Sequence, residues 1–323
     1  MLILKALKGL IVLDEIQRKP ALFEVLRVLL DRPRGGAKFL ILGSASPELL
    51  RHSSESLAGR IHYQTLPGLG LDEVGTKQMD RLWIRGAFPR SFTAKTHKES
   101  EEWRRSFITT FLERDLPQLG INIRSGTLRR FWTMLAHYHG NVWNSSEFGR
   151  AFGVSDTTVR DYVDLLTYAL VVRQLTPWHE NLSKRQVKAP KIYLADSGLM
   201  HTLLGLRTKT DLESHPKVGA SWEGFLLEQV IQHLGAHPDE CFFWSTHAGA
   251  EIDLLVVRGK RRWGYEFKRT SSPNTTKSMH IAIEDLGLDS LDVIHAGDRT
   301  FPMSEKIRAV AASDLLVALK PLP

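Results

Sequence analysis

Short apolar runs alternate with segments of helical period along the first sixty residues. Gly9-Leu10-Ile11-Val12-Leu13 is bounded by charge and reads as a fully buried strand of a parallel sheet. From Pro20 to Leu30, apolar residues at Leu22, Phe23, Val25, Leu26, Leu29 and Leu30 follow a helical spacing that Arg32-Pro33 and Gly35-Gly36 bring to an end. Lys38-Phe39-Leu40-Ile41-Leu42 is a second strand, running into Gly43-Ser44-Ala45-Ser46-Pro47. Strand, helix and strand in that space predict one right-handed βαβ unit. Its two parallel strands present Asp14, Glu15 and Ser44 together at their C-terminal ends, where open α/β sheets bind ligands. Ile61 to Leu66 reads as a further strand stopped by Pro67-Gly68, with Arg60 just before it.

Beyond residue 70 the period turns helical. Trp103, Phe107, Ile108, Phe111 and Leu112 make one face of a helix from Glu99 to Leu116, which Pro117 is expected to end. From about 125 to 178 the pattern predicts a winged helix-turn-helix. Leu128, Phe131, Leu135 and Tyr138 line a first helix, Asn144 to Glu147 offer N-caps to a second, and Gly153-Val154-Ser155 makes the turn. Asp156 to Leu166 is then the recognition helix, and a wing strand opens at Leu170. That helix exposes Asp156, Asp161 and Asp164 against one Arg160, which suits a structural or protein-contacting role better than phosphate binding. Asn181 to Lys191 holds four cations and no acid, either a solvated linker or a phosphate contact. Further on, Trp222 to Ile231 is an amphipathic helix, and Phe242–Ser245, Glu251–Val257 and Trp263–Lys268 are strands, the last two joined by a turn at Arg258–Arg262.

Composition changes this picture in three places. The longest apolar stretches fall well short of the roughly 18 residues of a membrane span, so a cytoplasmic protein without membrane contact is expected. Cys241 is the single cysteine, which removes disulfides and cysteine metal sites. A formal net charge of +7 permits nucleic-acid binding without demonstrating it.

Two carboxylate constellations carry chemistry. Asp14-Glu15 after a buried strand resembles the Walker B element of an AAA+ ATPase. The resemblance implies Asp14 holding Mg²⁺ through water, Glu15 activating the attacking water, Ser44 as sensor 1 on the γ-phosphate, and Arg60 sensing phosphate. The plainer alternatives are a solvated acid pair, a turn serine and a loop arginine. No G-x-x-x-x-G-K-[ST] occurs anywhere in the 323 residues. The chain therefore reads as truncated before the P-loop, and weak or no ATP binding is expected of it.

The second constellation lies on the C-terminal hairpin. Alternation along a strand puts Glu266 and Lys268 on one face, with Asp253 opposite on the partner strand. Two acids that hold Mg²⁺ beside a lysine that steadies phosphate charge suit phosphodiester cleavage, and Glu223 offers a third acid. The alternative is a surface Glu-Lys pair beside a capping Asp. D-x(n)-E-x-K preceded by a helical Glu resembles the PD-(D/E)xK nuclease superfamily, with Ile252 where the proline would stand.

Together with Leu57-Ala58-Gly59-Arg60, Arg85-Gly86-Ala87-Phe88-Pro89, Asn181-Leu182-Ser183-Lys184-Arg185 and Gly249-Ala250-Glu251-Ile252-Asp253, these stretches resemble the prokaryotic AAA+ ATPases that end in a domain of unknown function numbered 4143. The resemblance implies an α/β chain of four parts: a partial AAA+ core over 1–70, a helical lid over 71–122, a winged helix over 123–180 and a nuclease-like domain over 181–323. It implies ATP-driven handling of nucleic acid or a protein partner by the full-length form, with oligomer formation open. A metal-dependent DNA nuclease and a non-enzymatic adaptor are the alternatives.

Overall fold

The computed structural model describes residues 7–16, 19–32, 37–43, 57–118, 123–180 and 186–322. The chain divides into two compact units, one of residues 1–66 with 163–170, the other of 67–162 with 171–323.

In the first unit, β1 (Gly9–Leu13), α1 (Leu22–Leu30) and β2 (Ala37–Ile41) form the expected βαβ arrangement, with the strands parallel and Leu13 in register with Ile41. Phe23 and Leu26 of α1 pack with Ile16 and Leu57 in one small core, against which Leu13, Phe39 and Ile41 also rest. Among the described residues, only that face of the sheet is covered. Leu10 and Val12 are 68% and 53% exposed, so β1 is half-buried and not, as its unbroken apolar run suggests, buried on both sides. Ile61 to Leu66 forms no strand: among the described residues β1 and β2 pair only with each other, and an extended segment without a ladder partner is not a strand.

The second unit is mixed α/β. Its helices include α2 (Met79–Arg85), α3 (His97–Thr110), α4 (Ser125–Tyr138), α5 (Ser145–Phe152) and α6 (Asp156–Tyr168), whose last turns belong to the first unit. Thr96 caps α3 by accepting from the Glu99 N–H. Past Thr110 the chain continues through a π-helical turn, Phe111–Asp115, and a further turn, Leu116–Gln118, so Pro117 does not mark the end. Asn144 caps α5, and Gly153, left-handed at φ 66°, closes it before α6. Leu170 is also left-handed (φ 60°), which delays the following strand to Val172.

Among the described residues this unit holds a nine-stranded sheet of order β10-β11-β9-β8-β7-β6-β4-β5-β3. The strands are β3 (Asn141–Val142), β4 (Val172–Pro177), β5 (Lys191–Leu194), β6 (Cys241–Ser245), β7 (Glu251–Arg258), β8 (Arg261–Lys268), β9 (Ser290–His295), β10 (Phe301–Pro302) and β11 (Ile307–Ala311). β6, β7 and β8 are antiparallel neighbours, while β8, β9 and β11 are parallel. β4 joins β6 in parallel, so the segments read as winged helix and nuclease-like domain share one sheet. The remaining helices used below are α7 (Ser197–Leu203), α8 (Val218–Leu234) and α9 (Lys277–Leu286).

Two apolar layers hold the sheet. Leu226, Leu227 and Val230 of α8 pack with Trp83, Phe243, Leu254, Tyr265 and Phe267. Met279 and Ala282 of α9 pack with Trp244, Ile252, Leu255 and Val293. Each large side chain buried this way contributes about 1.5–3 kcal/mol. The Arg85-Gly86-Ala87 motif turns beneath Asp196, whose carboxylate accepts from the Ala87 N–H (2.6 Å) and, as the cap of α7, from the Leu199 N–H (2.7 Å). No described helix is long and apolar enough to cross a membrane.

Candidate active site

At the N-terminal site, Asp14 and Glu15 follow β1 directly and both are exposed. The Glu15 N–H donates to Asp14 Oδ1 (2.9 Å), and Glu15 takes a left-handed backbone (φ 52°) that costs a non-glycine residue about 1 kcal/mol. The Leu42 N–H donates to the Leu13 carbonyl (2.8 Å), which sets the end of β2 beside the acid pair. Ser44 lies outside the described residues, as does the basic stretch 181–185. Arg60 is engaged elsewhere, in a two-pronged pair with Asp31 at 2.6 and 3.0 Å.

The C-terminal constellation converges. Regular β7–β8 pairing runs from the Arg258–Arg261 end to Leu254 opposite Tyr265, and continuing that register sets Asp253 opposite Glu266. On its other side β7 carries a bulge: Phe242 faces Leu255 and Trp244 faces Ile252, leaving Asp253 and Leu254 together opposite Phe243. A bulge re-aims side chains, and here it frees the Asp253 carboxylate to accept from the Phe267 N–H (3.0 Å). Lys268 Nζ lies 2.6 Å from Glu266 Oε2 and 3.5 Å from Asp253 Oδ2. Asp253 and Glu266 are both buried. The start of β7 is fixed by α9, since the Glu251 N–H donates to Ser278 Oγ (2.7 Å) and that hydroxyl donates to the Glu251 carbonyl (2.9 Å).

Glu223 reaches the same place from α8. Its neighbour Gly224 explains how: a Cβ there would lie 2.2 Å from His139 Nε2 and 3.2 Å from Tyr193 Cδ1, so a bare Cα lets the helix close on β5. Glu223 then accepts from the Tyr193 hydroxyl (2.5 Å) and stands 3.7 Å from Lys191 Nζ. Lys191 also bonds Glu251 and lies 3.8 Å from Asp253 Oδ1. Lys191, Tyr193 and Glu251 are site residues that the motif reading missed. The available signal was the two-residue spacing of Lys191 and Tyr193, which gives both the same face of a strand.

Four carboxylates thus face two ammonium groups, and the titration behaviour reports the imbalance. Burial, and then the Asp253 charge, raise Glu266 to about 8 and Glu223 to about 7. Burial opposes the charge of Lys191, yet Glu223, Asp253 and Glu251 outweigh it and hold the ammonium well above the usual lysine range. Lys268 is held up in the same way by Asp253 and Glu266. A surplus of buried negative charge suits a divalent cation, and Mg²⁺ needs only one or two protein carboxylates beside water and phosphate. Asp253 and Glu266 meet that requirement. A cage of protein donors alone is a different matter: among the described residues no three His, Cys, Asp or Glu side chains are arranged to hold a metal. Glu223 is turned to Tyr193 and Lys191.

Comparison with known proteins divides the chain in three. An AAA domain matches residues 1–75, a domain of unknown function (DUF8612) matches 76–210, and a domain of unknown function (DUF4143) matches 218–315. No solved structure matches the chain. The uncharacterized protein Mb2031c of Mycobacterium bovis and the uncharacterized protein Rv2008c of Mycobacterium tuberculosis are each 52% identical to it over 316 residues, 98% of this chain and 71% of each relative. The chain therefore belongs to the family of these mycobacterial proteins, in which an AAA domain precedes DUF4143.

Proposed function

We propose that the chain is a nucleic-acid-handling member of an ATPase-type family whose C-terminal domain acts on phosphodiester bonds through a nuclease-like site. The observation that carries this reading is the meeting of Asp253, Glu266 and Lys268 on adjacent strands at 2.6 and 3.5 Å. Asp253 and Glu266 are the residues to hold Mg²⁺, which when bound supplies Lewis-acid stabilisation of phosphoryl charge. Lys268, tethered by both acids, places a fixed positive charge beside the phosphate under attack. Asp14 and Glu15 serve the nucleotide side of the family's chemistry, and residues 123–180 act as a winged helix that meets protein more readily than DNA.

Incubating supercoiled DNA with Mg²⁺ or Mn²⁺ tests the reading. Cleavage by the wild type and its loss in Asp253→Ala and Lys268→Met are expected. Equal cleavage by wild type and Asp253→Ala removes the site from the mechanism. Calorimetry with Mg²⁺ and ATP tests the other end, where no saturable heat is expected; binding abolished by Asp14→Ala would refute that expectation. The absence of a ready-made donor trio among the described residues favours a second reading, a non-cleaving adaptor, which absence of cleavage by the wild type would support.

A further inference from the structure

The candidate site sets the carboxylates of Glu223, Glu251, Asp253 and Glu266 against the ammonium groups of Lys191 and Lys268. A polyanionic strand approaching that surplus of acid needs positive charge from outside the cluster. Arg269 follows Lys268 directly, just past the end of β8. Its guanidinium lies over the rings of Trp83 of α2 (4.8 Å) and Trp222 of α8 (5.1 Å). Trp222 precedes Glu223, so the cation and one of its rings are each chain neighbours of a site residue.

What holds this side chain is unusual among the arginines nearby. Four arginines of the same sheet, Arg173, Arg258, Arg262 and Arg308, each meet a carboxylate at 2.5–2.9 Å. Among the described residues the carboxylate contact of Arg269 is Glu213 at 3.4 Å, and Glu213 is 48% exposed and also lies 3.9 Å from Lys209 Nζ. The Arg269 side chain itself is 28% exposed. Stacking engages the face of a guanidinium and leaves its N–H edge, which matches a phosphate in a two-pronged contact. Two indoles thus fix the group in place, while its one carboxylate contact is long.

We propose that Arg269 binds a nucleic-acid backbone phosphate flanking the one under attack, with its guanidinium set for that contact by Trp83 and Trp222. Its place beside a scissile phosphate rests on the phosphodiester reading above, whereas the contact with backbone phosphate stands on the geometry of Arg269. Successive residues of a strand turn to opposite sides, so Arg269 meets α8 while Lys268 meets the acid pair, and the two cations serve different phosphates. Glu213 occupies the guanidinium when no nucleic acid is bound and gives way to the phosphate. A contact of this kind carries no base specificity.

The test is the salt dependence of DNA binding by the full chain, followed by the fluorescence anisotropy of a short labelled duplex with Ca²⁺ in place of Mg²⁺. Loss of one phosphate contact lowers the slope of log affinity against log salt by about 0.9. Between about 50 and about 200 mM salt, Arg269→Gln is therefore expected to lose about 3.5-fold less affinity than wild type, from a weaker starting point. Arg269→Lys, which keeps the charge, is expected to keep the wild-type slope. Glu213→Gln frees the guanidinium without touching the rings and is expected to bind up to about fivefold tighter, a gain that disappears when Arg269→Gln is added. Equal slopes in wild type and Arg269→Gln overturn the proposal. So does a Glu213→Gln gain that survives in the double variant, or a wild type that does not bind DNA. The slope needs no cleavage, so the two readings separate. A slope change without cleavage in Mg²⁺ or Mn²⁺ keeps the phosphate contact and removes the nuclease chemistry, and cleavage with equal slopes does the reverse.

Discussion

The platform beneath Glu223 hangs on a buried chain of hydrogen bonds whose direction is fixed, and acid should break it. Trp83 Nε1–H can only donate, and it donates to Ser221 Oγ (3.0 Å). His201 Nδ1 lies 3.2 Å from the Ile84 carbonyl, which can only accept, so that nitrogen carries the proton. His201 Nε2, 2.7 Å from Ser221 Oγ, is then the acceptor of the serine hydroxyl. A second proton on the ring would face a serine already committed as donor. Burial, with the charges of Arg104 and His215 adding to it against the Ile84 bond, lowers His201 from 6.5 to about 4. Between those values the unfolded chain binds more protons than the folded one, so this group's contribution falls as pH drops. It is fully present above about pH 6.5 and largely gone below about pH 4. At about 1.4 kcal/mol per pKa unit, the full loss is about 3.5 kcal/mol, of which about 2 falls between pH 7 and pH 5. Glu223 and Glu266, with raised values, drive the opposite trend over the same range, so the term is isolated by difference. Urea unfolding of wild type and His201→Gln at pH 7 and pH 5 should show their stability gap shrinking by about 2 kcal/mol on acidification. A gap independent of pH, or a ¹⁵N spectrum showing the His201 proton on Nε2, would refute the reasoning.

Two glycines of α8 give a paired expectation. Gly219 has open space at its Cβ position, so Gly219→Ala should stabilise by up to about 1 kcal/mol, whereas Gly224→Ala drives a methyl into His139 and should cost about 1–3 kcal/mol in chemical denaturation. Arg173 forks onto Glu228 at 2.5 and 2.7 Å, tying β4 to α8; Glu228→Gln should lower stability by about 2 kcal/mol, and the double variant with Arg173→Met should recover much of it in thermal melts. Glu266→Gln removes a carboxylate whose ionised form is opposed by burial and by Asp253, so in metal-free buffer at pH 8 its melting temperature should rise by a few degrees, about 1 kcal/mol, while any DNA cleavage is lost. A lower melting temperature would show that the 2.6 Å pair with Lys268 outweighs that penalty.

The hairpin was legible because its signals are local. Alternating apolar residues, the Gly259-Lys260 turn and the two-residue spacing of Glu266 and Lys268 all lie within one stretch, and the β7–β8 register, with Leu254 opposite Tyr265, brings Asp253 to Glu266 when continued by one residue. The βαβ unit was legible for the same reason. What escaped was long-range. Strand burial on one face or two depends on which helices cover the sheet, and nothing in Gly9–Leu13 encodes that. The fusion of β4 to β6 depends on pairing between segments far apart in sequence, where composition at residue 180 suggests a boundary. The π turn at Phe111–Asp115 changes the helical register just before Pro117, a departure no capping rule anticipates.

Lys191 shows the same limit at the level of chemistry. In the sequence it closes a run of four cations, and a cation in such a run is ordinarily solvated. Its burial follows from the place of β5 inside the sheet, between β4 and β3, where all four of its residues are buried, and the bulge opposite Phe243 sets Asp253 near it. Had β7 kept regular pairing with β6, Asp253 and Leu254 would fall on opposite faces, and Lys191 would lose one of its three anions. One extra residue in one strand therefore decides whether the acids meet a tethered ammonium. A D-x(n)-E-x-K string carries no record of that choice. How the acids meet Lys191 is thus set outside the motif, by Gly224 letting α8 approach and by the bulge at Asp253.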